Sequence, residues 1–334
     1  MPIEEVLDPK SQNSFTFDQE QDLLGSGTVG EVFKVKHDLG DHVEYFALKR
    51  FFNRAGRDDF ENEQNNLKAL AVVPHEHVTY FISAWTISNA SYMLFPLANG
   101  DLHHFLTRSP PPANASDVGG WLTEQMLGIC DAIQYLHEYT LTDTDGKPIH
   151  RIGFHHDLKP ANILLFSSSD ASRATWKLAD FGSGAVKNLP IDSNEELYNR
   201  KASTGDPVYS APEYVVEGRV SRPKDIWSLG CIFLEVLIWV FTPGAGAVAH
   251  FREARDQFSR DNPDNRPVYW CQNAQGEPYV NPAVMNEIGV LKDRCGEGLY
   301  QSILGIVKRM LSLEPKERPT AVELCGEFGA LRGK

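Results

Sequence analysis

Residues 155–162 read His155-His156-Asp157-Leu158-Lys159-Pro160-Ala161-Asn162, and Asp180-Phe181-Gly182 follows further along. Two short loops thus carry an Asp, a Lys and an Asn, then a second Asp. Phosphoryl transfer from a magnesium nucleotide needs such a set: one carboxylate for the acceptor hydroxyl, one ammonium facing the moving phosphoryl group, and two oxygen ligands for the metal. Each residue alone would be unremarked on a protein surface. Their order along the chain carries the reading. Short apolar runs at 163–166 and 176–178 predict strands flanking the loop.

Upstream, Gly25-Ser26-Gly27-Thr28-Val29-Gly30 fits a loop that covers phosphates, since glycine lets backbone amides approach oxygens that a Cβ would fend off. The same spacing can open a dinucleotide-binding helix, or be a plain hairpin turn. Residues 31–37 alternate polar with Val32, Phe33 and Val35, so the unit is strand-loop-strand. In the next strand Ala47 and Lys49 share a face. The helix expected over 58–70 puts Phe60, Glu63, Leu67 and Leu70 on one side, so Glu63 points inward. A carboxylate there wants a cationic partner, and Lys49 is the natural one.

The bulk composition narrows the classes. The chain of 334 residues carries 32 basic and 45 acidic side chains, a net charge of −13, with no basic stripe or tail. Nucleic acid and anionic membrane are therefore not expected partners. Five scattered cysteines (Cys130, Cys231, Cys271, Cys295 and Cys325) show neither zinc-ligand nor redox spacing. With no secretory signal, reduced thiols in the cytosol or nucleus are expected, and the glycosylation triplets at Asn89 and Asn114 read as chance. The longest apolar stretch, 226–241, falls short of the roughly 20 residues of a membrane span. Ser228 and Glu235 interrupt it, and it reads as a buried helix at the axis of a domain.

Texture changes near Asn99. Before it, strands dominate (31–37, 45–52 and 92–97). After it, helices do. Residues 109–120, rich in Pro, Gly and Ser, read as an exposed loop. An amphipathic helix is expected over 121–137 through Met126, Ile129, Ile133 and Leu136. Residues 139–150, with Asp145-Gly146, read as an inserted hairpin or loop. Further on, 250–258 reads as a short helix and 268–280 as an irregular loop.

Together these residues resemble the eukaryotic protein kinase family, over about 15–328. The family elements stand in order: Gly25 to Val32, Lys49, Glu63, Asp157 to Asn162, Asp180 to Gly182, Ala211-Pro212-Glu213, Asp225 and Arg318. The resemblance implies an α+β, bilobal protein-kinase-like fold. A β-rich N-lobe (15–98) and a mainly helical C-lobe (99–328) would hold ATP and Mg2+ between them. It implies that Asp157 orients the acceptor hydroxyl and takes its proton, and that Lys159 neutralises the γ-phosphate, as in serine/threonine-directed members. Asn162 and Asp180 would hold magnesium, and Lys49, steadied by Glu63, would contact the α- and β-phosphates. Gly25, Ser26, Gly27, Thr28, Val29 and Gly30 would cover the phosphates. Leu24, Val32, Ala47 and Leu164 would wall the adenine pocket. Phe95 resembles the gatekeeper, Pro96, Leu97 and Ala98 the hinge, and Asp101 the ribose contact. Asp225 resembles the brace beneath the catalytic loop, and Glu213 with Arg318 a buried ion pair.

Three departures stand out. His156 occupies the place of an Arg that gathers an activation-loop phosphate, so control by loop phosphorylation (Ser193, Tyr198, Ser203 or Thr204) is in doubt. A protonated histidine would still pair with phosphate. Asp206 replaces a Thr that bridges the catalytic Asp and Lys. It can accept from Lys159 and, as a second negative charge near Asp157, is expected either to slow the chemistry or to raise the proton affinity of the Asp157 site. Ala161 lacks the carboxylate of members that prefer basic substrates. The stretch 243–298 is extra length, read as a fold-packing insert ahead of a docking surface. The double histidine resembles a group of serine/threonine kinases from filamentous fungi.

The expected function is transfer of the γ-phosphate of ATP to Ser/Thr hydroxyls of protein substrates. Two alternatives stand beside it: a weakly catalytic kinase-fold scaffold, supported by Asp206 and His156, and a small-molecule kinase, opposed by Lys159 and Ala211-Pro212-Glu213.

Overall fold

Alternating apolar residues build an antiparallel seven-stranded sheet from β1 (Ile3–Leu7), β2 (Ser14–Asp18), β3 (Leu23–Ser26), β4 (Gly30–Asp38), β5 (Val43–Phe51), β6 (Ser83–Ile87) and β7 (Ala90–Pro96). The spatial order is β1-β2-β4-β5-β7-β6, with β3 on β4. The computed structural model describes residues 3–11, 13–52, 56–87, 90–142, 146–166, 174–190, 205–217, 222–244, 246–261 and 268–332. Period-two alternation sends Phe33, Val35, Leu48 and Leu94 to one face, where Val6, Phe15, Phe17 and Trp85 complete a small core. The opposite face carries Val32 across from Lys49 and Ala47 across from Phe95. Helix α1 (Gly56–Leu70) packs on that side through Phe60 against Phe51.

Strand β1, which no sequence signal announced, is tied down through the turn after it. Asp8 is buried and accepts from the Lys10 amide and from the Ser11 and Ser83 hydroxyls.

Beyond Asn99 helices dominate, so the fold is α+β with a curled antiparallel sheet followed by a helical region. Strand β8 (Gly100–Asp101) leads into α2 (Leu102–Arg108) and α3 (Ser116–His137). The hairpin β9 (Glu138–Thr142) and β10 (Pro148–Phe154) appears as expected, its tip at 143–145 lying outside the described residues. Strands β11 (Ile163–Phe166) and β12 (Thr175–Leu178) both follow the 155–162 loop rather than flanking it and pair antiparallel, and β13 (Ala185–Pro190) pairs with β10. Then come α4 (Pro212–Glu217), α5 (Arg222–Phe241), α6 (Ala247–Asp261), the small hairpin β14 (Trp270–Gln272) and β15 (Pro278–Val280), α7 (Pro282–Arg294), α8 (Leu299–Met310) and α9 (Ala321–Leu331). Helix α5 is buried from Lys224 to Val240 and forms the axis around which the others pack. At Gly230 a Cβ would lie 2.8 Å from Met310 Cβ, so glycine lets α8 approach closely. No described helix is long and apolar enough to cross a membrane.

Two local expectations are corrected. Residues 116–120 belong to α3, not to the loop before it. Glycine suits position 119 because the start of α8 comes close: a Cβ would sit 3.0 Å from Leu299 Cδ2. Residues 268–280 form an ordered hairpin rather than an irregular loop, because Val268, Tyr269, Trp270 and Cys271 are all buried in the core. Ser193, Tyr198, Ser203, Thr204 and Asn89 lie outside the described residues.

Candidate active site

The alternation of β5 and the inward face of α1 meet at Lys49. Its Nζ donates to Glu63 Oε2 at 2.6 Å and to Asp180 Oδ1 at 2.9 Å. Burial alone would favour the neutral amine, but Asp180 and Glu63 together raise the Lys49 pKa and keep it charged. One ammonium thus serves two carboxylates. Glu63, 1% exposed, is pushed up to about 7 by burial, with Asp180 adding to the effect and Lys49 opposing it. Asp180 keeps 38% of its side-chain surface accessible. Burial acts to raise its pKa, yet Lys49 outweighs this and holds it below the usual carboxylate range. Its backbone sits at φ 62°, in the left-handed region that few non-glycine residues occupy.

Across from this trio, the 155–162 loop folds back on itself. Asp157 Oδ2 accepts from Lys159 Nζ at 2.9 Å and Asn162 Nδ2 at 3.1 Å, and its Oδ1 accepts from the Asp206 amide at 2.6 Å. Burial would raise the Asp157 pKa, but Lys159 and the Asp206 amide bring it below the ordinary value. The expectation for Asp206 is therefore corrected. Its backbone, not its carboxylate, meets Asp157, while Oδ1 accepts from the Val208 amide at 2.9 Å and caps the turn Pro207–Tyr209. Among the described residues Lys159 makes no hydrogen bond to Asp206; that carboxylate only adds to the field that helps keep Lys159 protonated. Gly205 permits the approach: a Cβ there would lie 2.5 Å from His156 O.

The loop is braced from beneath. Asp225 on α5 accepts from the amides of His155 (2.8 Å) and His156 (2.9 Å) and from His137 Nε2 (2.8 Å). Despite burial, His137 and these amides depress its pKa to about 2. His156 is buried, with φ 72°. Its Nδ1 lies 2.8 Å from Lys224 Nζ, which also donates to His156 O. An ammonium only donates, so His156 Nδ1 accepts, and a second positive charge on the ring would face the first. Burial lowers Lys224 itself to about 8. The Tyr214 ring covers both groups, 4.8 Å from the His156 ring and 4.6 Å from Lys224 Nζ.

The glycine-rich segment is the β3–β4 hairpin, with the Gly27 amide donating to Gly30 O at 2.9 Å. Gly30 has a steric reason: a Cβ would lie 2.2 Å from Arg50 O. Leu24, Gly25, Ser26, Gly27 and Thr28 are exposed, and Val29 and Val32 half-buried. Ala47, Phe95, Pro96, Leu97, Ala98 and Leu164 are half-buried as well, and Leu164 is paired with Asp101. Asp101 gives both oxygens to the start of α2, to the His104 amide at 2.8 Å and to His104 Nδ1 at 2.6 Å. A ribose contact would have to share them. Glu213 and Arg318 form a bidentate pair at 2.7 and 2.8 Å, with Trp227 against the guanidinium.

Among the described residues, no group of three or more His, Cys, Asp or Glu side chains is arranged to hold a metal. The donor set present suits magnesium, which needs one or two protein oxygens and takes the rest from phosphate and water. Asn162 Nδ2 is engaged by Asp157 O and Oδ2, which leaves the hard amide oxygen Oδ1 for such a cation beside Asp180.

Several site-building residues escaped the sequence reading. Asn62 and Asn66 of α1 bond to the backbone after Asp180. Glu235, read only as an interruption of an apolar run, is a buried hub for the Tyr209 and Tyr269 hydroxyls and the Arg252 guanidinium. Arg252 and Tyr269 belong to the 243–298 stretch, which thereby packs against α5. A charged residue inside a buried helix was the available signal for this hub.

A family model described as "Protein kinase domain" matches residues 19–327. The chain is similar to the mitosis inhibitor protein kinase wee1 of Schizosaccharomyces pombe, 27% identical over 304 residues that cover 89% of this chain and 30% of that protein. It is also similar to human serine/threonine-protein kinase ULK3, 32% identical over 219 residues that cover 64% of this chain and 40% of that protein. The chain thus spans between 30% and 40% of the length of these relatives.

Proposed function

The chain belongs to the protein kinase family, and from the geometry of its site we propose that it transfers the γ-phosphate of ATP to serine or threonine hydroxyls of proteins. One observation carries the reading: Lys49, Glu63 and Asp180 form one charged cluster and Asp157, Lys159 and Asn162 another, and the two are joined where the Ala179 amide, next to Asp180, donates to Asn162 O at 2.9 Å. Asp157, ionised at neutral pH, accepts the hydrogen bond of the acceptor hydroxyl and then its proton. Lys159, charged and anchored on Asp157, faces the transferring group and offsets its negative charge. Lys49 holds the α- and β-phosphates, steadied by Glu63. Asp180 and Asn162 would hold magnesium, which would supply charge neutralisation for the phosphates. The exposed β3–β4 hairpin covers them from above, and Leu24, Val32, Ala47, Phe95 and Leu164 enclose the adenine at the 96–98 hinge. The nucleotide lies between an N-lobe at 15–98 and a C-lobe at 99–328.

Lys159 supports Ser/Thr direction, as does similarity to a protein named a serine/threonine kinase. The lack of an Arg before Asp157 supports a non-RD type, and the double histidine a place in the filamentous-fungal group. Protein substrates, not nucleic acid, suit the acidic chain. The described cysteines are free, in keeping with the cytosol or nucleus. The two departures offered for a scaffold weaken as its support, because Asp206 lends its amide to Asp157 and His156 is a buried acceptor.

The test is transfer of labelled γ-phosphate from Mg-ATP to a generic protein and to the enzyme itself, for wild type and Asp157→Asn, with phosphoamino-acid analysis. Label on Ser or Thr that vanishes in the variant is expected. Binding of Mg-ATP without Asp157-dependent label would overturn the reading in favour of a scaffold.

A further inference from the structure

Helix α1 carries Glu63, so whatever fixes α1 fixes the Lys49 pair. Its other contacts run to the segment that begins at Asp180. Asn62 Nδ2 donates to Gly182 O at 2.6 Å and Gly184 O at 3.0 Å. Asn66 Nδ2 donates to Phe181 O at 2.8 Å and Gly184 O at 3.1 Å, and its Oδ1 accepts from the Val186 amide at 2.9 Å. That last bond fixes which end of the amide is oxygen. At the C-terminus of α1, the Ala69 carbonyl has no partner within the helix. It accepts from Arg151 Nη2 at 2.6 Å and Asn188 Nδ2 at 3.1 Å. Arg151 Nε donates in turn to Asn188 Oδ1 at 3.0 Å, and the guanidinium lies 4.2 Å above the Tyr135 ring. The Tyr135 hydroxyl donates to the Leu70 carbonyl at 2.8 Å. A buried cation at this end also meets the negative pole of the helix. Strand β13, bearing Asn188, is itself paired to β10, bearing Arg151.

We propose that Asn62, Asn66, Asn188 and Arg151 are positioning residues that clamp α1 inward, so that the Lys49–Glu63 pair forms without a phosphate on the 191–204 segment. The inference rests on the kinase reading and concerns regulation of that site. Every tether ends on a backbone group or a neutral amide, so none waits for a charge to be added. The position expected to gather a loop phosphate is taken by His156, buried and accepting from Lys224. Asn66→Asp is nearly isosteric but turns the two donated bonds into a carboxylate facing two carbonyl oxygens, which drives α1 outward.

The experiment uses the whole chain, treated with phosphatase and checked by mass spectrometry for absence of phosphate. Transfer rate from Mg-ATP and hydrogen–deuterium exchange of the 56–70 peptides are read together. Phosphate-free wild type should keep its rate within about twofold, while Asn66→Asp should lose about tenfold or more in rate as α1 exchanges roughly tenfold faster. Asn62→Ala, at a half-buried position, should move both readings the same way by less, and it decides the matter if Asn66→Asp does not fold. Loss of the wild-type rate on dephosphorylation would overturn the proposal, as would unchanged α1 exchange in the variants, whatever their rates. If wild type transfers no phosphate at all, the kinase reading fails. The exchange arm alone then judges the clamp, upheld by faster α1 exchange in the variants and overturned by none.

Discussion

Replacing Glu63 by Gln should stabilise the protein above neutral pH while disabling it. The Glu63 carboxyl is raised from 4.5 to about 7 by burial, with Asp180 adding and Lys49 opposing. The folded form therefore holds its proton to higher pH than the unfolded chain does. Between those two values the folded state binds more protons, so stability falls as pH rises, and the deficit is complete above about 7. At about 1.4 kcal/mol per pH unit the deficit is about 3 kcal/mol near pH 8 and about 1 kcal/mol near pH 5.5. Gln cannot ionise and escapes it, and Asp180 remains to balance Lys49, so these figures are ceilings. Melting temperature would be followed in buffer free of metal and nucleotide. At roughly 2 °C per kcal/mol for a chain this long, the variant should melt up to about 6 °C higher near pH 8 and about 2 °C higher near pH 5.5. Transfer activity should drop about tenfold or more, because Lys49 loses the charge that orients it. A variant less stable near pH 8, or a gap independent of pH, would refute the reasoning. It would mean that Glu63 is ionised at no net cost and that its pair with Lys49 stabilises the fold.

Other substitutions probe the frame of the site. Asp225→Asn leaves at least one of three N–H donors facing an NH2 group, so denaturant unfolding should show a loss of about 2–4 kcal/mol. Because Asp225 titrates at about 2 rather than 3.8, its charged form adds stability above about pH 4 that is lost as pH falls through 2, so acid unfolding should be less steep in the variant. His156→Arg brings a second cation to within reach of Lys224 Nζ and should cost about 3 kcal/mol or more, part of which Lys224→Met in the same chain restores; a double-mutant cycle measures the coupling. Gly230→Ala pushes a methyl toward Met310 Cβ, 2.8 Å away, and thermal melts should show about 1–3 kcal/mol of destabilisation.

Periodicity made three strands of the sheet (31–37, 45–52 and 92–97), α1 and the buried α5 legible, because burial on one face leaves its mark on residue type. The pairing of Lys49 with Glu63 followed from two such faces. What stayed hidden depends on contacts between distant segments. Gly119 reads as a loop residue until the start of α8 is known to come close. The 268–280 stretch has turn chemistry at its tip, yet its buried aromatics make it a hairpin. Asp206 looked like a charge placed beside Asp157, but the turn beginning at Pro207 takes its carboxylate and presents its amide instead. Asn62 and Asn66 look like solvent-facing helix residues, since neutral amides carry no apolar period and their partners lie more than a hundred positions away.

The packing of Phe181 bears on the chemistry of inhibitors. Its ring is buried, 4.9 Å from that of His155, and its carbonyl is held by Asn66. A compound that must expel this ring to make room would first break the three hydrogen bonds of Asn66. At about 1 kcal/mol each, that is about a hundredfold in affinity. Compounds that fill the cleft as it stands escape the penalty, and an unbiased screen should therefore return them almost exclusively.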